Sequence, residues 1–448
     1  MTRFLAALVT VAPVAVALGQ APAPPPAEPV APPAAAEPAP APPPVNPLDL
    51  PADFGWFSDP KAPAETWQDA LLGGKVHLDD RLRVETVDQD GLRDSTAFTN
   101  RLRLGYETKP IQGFSALAEL EWLAAFNEDN YFVPATGDGT PGRAAIADPP
   151  AIELNQLWGR YQHADSGTDV KIGRQRILLD DQRFVGNVGW RQLEQTFDAA
   201  AVKSSLGHKP LELYYALLWK INKITGPDGP NPDSLSHLIH GSYALAPELK
   251  ATGFVYLLDI DDDPNSNNTY GLRGSGAHDL AKILGWESLG VEYELSAAYQ
   301  TDTGDAPADY EAWFFAAEAK LVIDKAWRVG GGYQYLGSDD GVAAFQFPLG
   351  TNHKFQGYAD VFLTTPASGL HDYYLVATAD LPWQIKGELA AHFFRSDEGD
   401  DDLGQEIDAV LSKQISKQWS VLAKAAWYNG DTGLADRTKL WVQTEYRF

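Results

Sequence analysis

The chain has 448 residues with 35 Lys+Arg against 61 Asp+Glu, a formal net charge of −26. That balance excludes a nucleic-acid partner, which needs a basic face to neutralise phosphates. With no Cys, a disulfide scaffold, a thiolate metal site and a cysteine nucleophile are excluded too. The 39 Gly, 13 Trp and 18 Tyr fit many strands and turns better than a helix bundle.

Residues 1–19 read as a secretory signal peptide: Arg3 gives the positive start, Phe4 to Leu18 the apolar stretch, and Ala17 and Gly19 the small residues before a cleavage point. Residues 20–53 are dominated by Pro and Ala. Such a stretch favours extended polyproline geometry and builds no core, so it is a periplasmic spacer, open to a periplasmic partner. Residues 54–72 form a short pre-barrel segment.

From residue 73 onward the pattern has period two. Val76, Leu78, Leu82 and Val84 alternate with Lys75, His77, Asp79, Arg81, Arg83 and Glu85. Phe98, Leu102 and Leu104 alternate with Thr99, Arg101 and Arg103, and Leu120 and Trp122 with Glu119 and Glu121. Further segments are expected at 211–221, 291–299, 313–323, 327–335, 383–393, 407–415 and 419–427. Successive side chains of a strand point to opposite faces. Each segment therefore has one apolar and one charged face, which suits a barrel with lipid outside and a hydrated, charged lumen. Aromatics near segment ends, such as Trp122, Trp158, Trp219 and Trp419, fit interfacial girdles. At the end of the chain, Leu440, Val442, Thr444, Tyr446 and the terminal Phe448 share one face. That ending resembles the assembly signal of bacterial outer-membrane barrels.

Short turns near 108–112, 164–167, 206–209, 246–248, 323–326, 380–383 and 415–417 alternate with long loops, including 127–150, 178–194 and 337–369. Taking 337–369 as one inserted loop gives 18 strands, an even number that puts both termini at one end. The fold class is thus all-β, a transmembrane antiparallel β-barrel over residues 73–448 with pore-narrowing inserted loops, in the bacterial outer membrane.

Arginines two apart on one strand face lie about 7 Å from each other. Arg81 with Arg83, Arg101 with Arg103 and Arg174 with Arg176 make such pairs, beside the acidic pair Glu119 and Glu121. Cationic rings favour anions in a pore. The same charges also suit a lattice of ion pairs that stiffens the wall.

The stretch Arg81 to Glu85 with Val87 to Gly91, then Thr99 to Thr108 with Gly113 to Ala116, resembles the alginate export family of outer-membrane proteins. So do Ile172 to Gln175, Asp181 to Arg183, Gly186, Trp190, Arg191, Phe197 and Asp198, followed by His353 to Phe355, Gly357, Asp360 and Gly404 to Asp408. The resemblance implies a monomeric 18-stranded barrel, surrounded by outer-membrane lipid, with an arginine-rich constriction for a polyuronate. The implied path is Arg81, Arg83, Arg101, Arg103, Arg174, Arg183, Arg191 and Lys354. Glu119, Glu121, Asp181, Asp198 and Asp360 would moderate or position those cations.

The expected function is passive, selective passage of an anionic polysaccharide or oligosaccharide, without a cofactor, metal or catalytic residue. The alternatives are a general porin for small organic anions and a surface adhesin. A hydrolase would need His392 or His163 in a nucleophile pattern, and neither sits in one.

Overall fold

The structure, a computed structural model, describes residues 63–280, 288–304 and 306–448. The expected signal peptide, the Pro/Ala-rich spacer and the first part of the pre-barrel segment lie outside the described residues. A short helix, α1 (Trp67–Leu72), precedes the barrel.

Eighteen strands follow: β1 (Lys75–Gln89), β2 (Ser95–Glu107), β3 (Phe114–Ala125), β4 (Ala151–His163), β5 (Thr168–Gln175), β6 (Thr196–Ser204), β7 (Leu211–Asn222), β8 (Asp233–Ala246), β9 (Leu249–Leu258), β10 (Asn267–Asp279), β11 (Leu289–Asp302), β12 (Glu311–Ile323), β13 (Trp327–Leu336), β14 (Leu370–Leu381), β15 (Ile385–Arg395), β16 (Asp402–Gln414), β17 (Trp419–Gly430) and β18 (Arg437–Arg447). Each pairs antiparallel with its chain neighbours, and β18 pairs with β1 to close one sheet. At the seam, Leu78 N–H donates to Phe448 O at 3.0 Å and Phe448 N–H to Leu78 O at 2.8 Å. The terminal Phe thus completes the ladder, and closure leaves the sheet no unpaired edge in lipid.

The strand faces sort as the alternation requires. Arg81, Arg83 and Glu85 on β1, and Lys439, Trp441, Gln443 and Glu445 on β18, are buried inward, while Val84, Leu440 and Val442 are exposed outward. The expected short turns join the strands at one end. In the 324–326 turn, Asp324 and Lys325 both take positive φ, 50° and 57°, as a tight hairpin demands. No helix among the described residues is long and apolar enough to cross a membrane; the strands make the wall.

Three long loops are packed with buried residues: 126–150, 176–195 and 337–369. The first buries Tyr131, Val133, Ala144 and Ile146, the second Ile177, Val185 and Leu193, the third Phe345, Phe347 and Leu349. The second and third are stitched together, with Gly186 N–H donating to Leu349 O at 2.9 Å and Gln195 Nε2 to the same carbonyl at 3.0 Å.

The lumen, expected to be hydrated and charged, is in part apolar. Leu218, Leu238, Phe254, Phe314, Leu336 and Phe394 sit on strand faces turned away from lipid, and they join Phe345, Phe347 and Leu349 in one apolar core. They lie mostly toward the long-loop ends of their strands. There the inward face is apolar because protein, not water, covers it. The partly exposed charges Glu292, Glu294, Glu318, Lys320 and Arg328 lie toward the short-turn ends of β11, β12 and β13.

Candidate functional site: the inserted segments and their charge lattice

The arginines of β1 and β2 hold the 176–195 segment. Arg81 pairs with Glu445 at 3.0 Å and donates to the carbonyls of Gly189 at 3.1 Å and Arg191 at 3.2 Å. Arg83 donates to Trp190 O and to Gln443 Oε1, each at 2.6 Å, and its guanidinium stands 4.4 Å from the Trp190 ring. Arg101 pairs with Asp79 at 2.5 Å and Glu445 at 3.1 Å, and Arg103 with Glu121 at 2.5 Å and Glu194 at 3.6 Å. Glu119 accepts from Arg176 at 3.1 Å, Asn155 at 2.9 Å and Gln156 at 3.0 Å. All four wall arginines, Glu119 and Glu121 are buried. A guanidinium forks toward carbonyls and carboxylates alike, so one arginine ties a loop backbone to the opposite carboxylate.

Asp360 ties the 337–369 segment to the 176–195 segment and the wall. Its Oδ2 lies 2.7 Å from Arg191 Nη2 and 2.6 Å from Lys439 Nζ, and its Oδ1 accepts from His353 Nδ1 at 2.5 Å. Arg191 also pairs with Glu85 at 3.2 Å. Lys424 Nζ donates to His353 Nε2 at 2.6 Å, and Trp190 stacks on the His353 ring at 5.0 Å. Burial alone would raise the Asp360 pKa, but His353, Lys439 and Arg191 hold it well below the ordinary carboxylate range. Burial pushes His353 well below its usual value against the pull of Asp360. A neutral ring donating from Nδ1 and accepting at Nε2 satisfies both neighbours. The segment also rests on acids of β15 and β16: Ala359 N–H donates to Glu406 Oε1 at 2.6 Å and the Tyr358 hydroxyl to Glu388 Oε1 at 2.7 Å.

Arg183 differs from the other arginines. It is 4 % exposed, and Nη1 donates to Gln356 Oε1 at 2.8 Å. Its guanidinium lies 3.8 Å from the Phe347 ring, 4.5 Å from Phe355 and 5.5 Å from Phe314. Nε and Nη2 have no hydrogen-bond partner, and no carboxylate pairs with it among the described residues. Burial pushes its pKa down to about 9, so it keeps its charge at neutral pH. Asp181 accepts the Arg183 backbone N–H at 3.1 Å and makes no side-chain hydrogen bond with the guanidinium. The Asp181 carboxylate pairs instead with Arg273 at 2.8 Å, and Arg273 and Lys354 hold its pKa low against burial. Lys354 Nζ donates to Asp181 O at 3.2 Å.

Arg174 and Asp198 fall elsewhere. Arg174 stands opposite Leu157 and Asp198 opposite Arg174, and exposed Leu157 faces lipid. The pair, with Nε to Oδ1 at 2.7 Å, therefore shares the outward face. Strand β5 ends at Gln175, so Arg176 leaves the alternation and turns in to Glu119 and Glu194. Arg174 and Arg176, expected on one face, are separated by the strand end. Sequence reasoning missed Glu194, Arg273, Lys424, Lys439 and Glu445. The alternation of β18 marked Lys439 and Glu445 as inward, whereas nothing local marks which charges meet across the lumen.

A closed 18-stranded barrel with lumen-packed loops and a lipid-facing apolar wall has the fold of an outer-membrane β-barrel of porin type. Residues 79–216 match the family model described as Alginate export. Among solved structures, Acinetobacter baumannii OccAB2 is similar at a TM-score of 0.66 and 14% identity, covering 85% of this chain and 99% of that one. Pseudomonas aeruginosa OpdO is similar at 0.64 and 15%, covering 85% and 98%. P. aeruginosa OpdK, crystallised with vanillate, is similar at 0.64 and 14%, covering 84% and 98%. No curated protein matches the chain in sequence. The fold and the family match place the chain in the bacterial outer membrane.

Proposed function

We propose that the barrel is a passive channel for small organic anions. Arg183 carries this reading. A buried guanidinium with no carboxylate in ion-pair contact among the described residues, Asp181 and Asp372 acting on it only from farther off, sets a positive potential in its surroundings, and the low-dielectric aromatic walls beside it screen that potential weakly. The solute path runs along the partly exposed charges Arg273, Lys320, Arg328 and Lys354, where paired acids keep binding weak enough for release. Arg81, Arg83, Arg101 and Arg103 serve as anchors of the inserted segment, with Glu119 and Glu121 as their counter-charges. Arg191 and Asp360 clamp the two segments together, and Asp181 positions Arg273.

A small solute suits the packed long-loop end, where Phe345, Phe347 and Leu349 fill part of the lumen against the wall. A similar barrel binds vanillate, a small aromatic carboxylate. The second reading is an alginate-like polyuronate or oligosaccharide as the solute, supported by the Alginate export match over 79–216. Planar-bilayer current with added blockers separates the two. Block by benzoate-type monomers and free uronates, without block by alginate oligomers, supports the small-anion channel. Block by oligomers alone supports the second reading, and no effect of either class removes both.

A further inference from the structure

The barrel carries an apolar feature that neither the wall nor the lumen uses. Helix α1 turns Trp67 and Leu71, one helical turn apart, into the open at 66 % and 59 % exposure, with Leu72 beside them at 76 %. Its other side is fixed. Ala70 is buried with Ala64 and Ile111, Thr66 Oγ1 caps the helix by accepting Asp69 N–H at 3.1 Å, and Asp69 pairs with Lys109 at 2.9 Å.

The location is set by Tyr106. In the register it stands opposite Val76, whose side chain is exposed on the lipid side, so the Tyr106 ring is also on the lipid side. Its hydroxyl donates to Leu71 O at 2.5 Å and accepts Gly74 N–H at 3.0 Å. The helix is therefore held on the outside of the barrel rim, at the short-turn end, and not under the lumen. The lipid-facing aromatic belt continues beside it: Ile111 exchanges backbone hydrogen bonds with Phe114, and the exposed Phe114 ring lies 4.7 Å from Tyr161.

We propose that α1 is a membrane foot, whose Trp67–Leu71 face inserts into the headgroup and upper acyl region of the inner leaflet of the outer membrane. A Trp has the amphipathic ring favoured at that depth, and the exposed Leu71 one turn along supplies the apolar area beside it. The partner is a phospholipid surface. The continuity with the belt at Tyr106, Phe114 and Tyr161 distinguishes it from a protein partner.

Because the chain has no Cys, single-cysteine variants take one spin label each. Full-length Leu71→Cys, Trp67→Cys and Gln68→Cys would be reconstituted in vesicles of phosphatidylethanolamine and phosphatidylglycerol. Collision rates would then be read with oxygen, which favours lipid, and with a nickel chelate, which favours water. The foot predicts that labels at 71 and 67 collide several-fold more with oxygen than with the chelate, and that a label at 68 does the reverse. Equal chelate access at 71 and 68 would overturn it. So would protection of position 71 from both reagents, which would mean cover by a second copy or by another part of the chain. Heat-modifiable migration on gels shows which variants have a folded barrel, and two positions on one face keep the test open if one variant fails.

Discussion

Arg191 Nη2 stands 2.7 Å from Asp360 Oδ2, and this buried ion pair joins the two inserted segments. Removing one partner of such a pair strands the other charge, at a cost of about 3–5 kcal/mol. Asp360→Asn is therefore expected to release the 337–369 segment from Arg191 and Lys439. Single-channel conductance should rise and become noisier, and trypsin should cut faster at Lys354. Wild-type traces and digestion would show that the clamp does not hold the segment.

The same cluster gives a pH dependence with a definite sign. His353 faces Asp360, Lys424 and Arg191, and burial holds its pKa well below 6.5 in the closed arrangement. In an opened segment the ring regains its ordinary value. The open form then binds more protons, so closure is favoured above about pH 6.5 and weakens below it, by up to about tenfold per pH unit. The Asp360 carboxyl, also depressed, contributes its own loss only in strong acid, below its unfolded value of 3.8. Flicker frequency should therefore climb between about pH 7 and about pH 5, and His353→Asn should flatten the profile. A flat wild-type profile would contradict this.

Two arginines from the same sequence pattern should behave differently. Arg83→Gln removes the hydrogen bond to Trp190 O and the stack on the Trp190 ring, so it should lower the unfolding temperature and increase current noise. Arg174→Gln removes the outward pair with Asp198 and the hydrogen bond to Leu154 O, both away from the lumen, and should leave conductance and ion preference at wild-type values. A changed selectivity in Arg174→Gln would mean that its side chain reaches the lumen.

Gly357 has φ +76°, and a Cβ there would lie 2.4 Å from the Glu406 carboxylate. Gly357→Ala should cost about 1–3 kcal/mol from backbone strain and push the segment off β16. Gly433, at φ +83° with open space around it, supplies the control. Gly433→Ala should show the smaller loss in denaturant titration, and equal losses would remove the steric contribution.

The sequence made the barrel legible because a strand's faces differ by a period that survives in the residue order. Val84 and Leu440 outward, Arg83 and Lys439 inward, and Phe448 at the seam all follow from it. Loop parity likewise put the inserted segments at 178–194 and 337–369. What stayed hidden was made by contacts far apart in the chain. Nothing near Arg183 announces that Phe314 and Phe347 cage it, and nothing near Asp360 announces Arg191 and Lys439. Arg174 misled because pairing by i and i+2 assumes an unbroken strand, whereas β5 ends at Gln175. The dry part of the lumen was obscured in the same way. Leu218, Phe314 and Phe394 read as ordinary apolar strand residues until their inward faces were assigned.

The most direct test of the anion channel is the zero-current potential of the full-length protein in a planar bilayer under a KCl gradient. The account predicts a potential of the sign that chloride permeation gives, moved toward zero in Arg183→Gln. A potassium-selective wild type, or a variant with an unchanged potential, would contradict it.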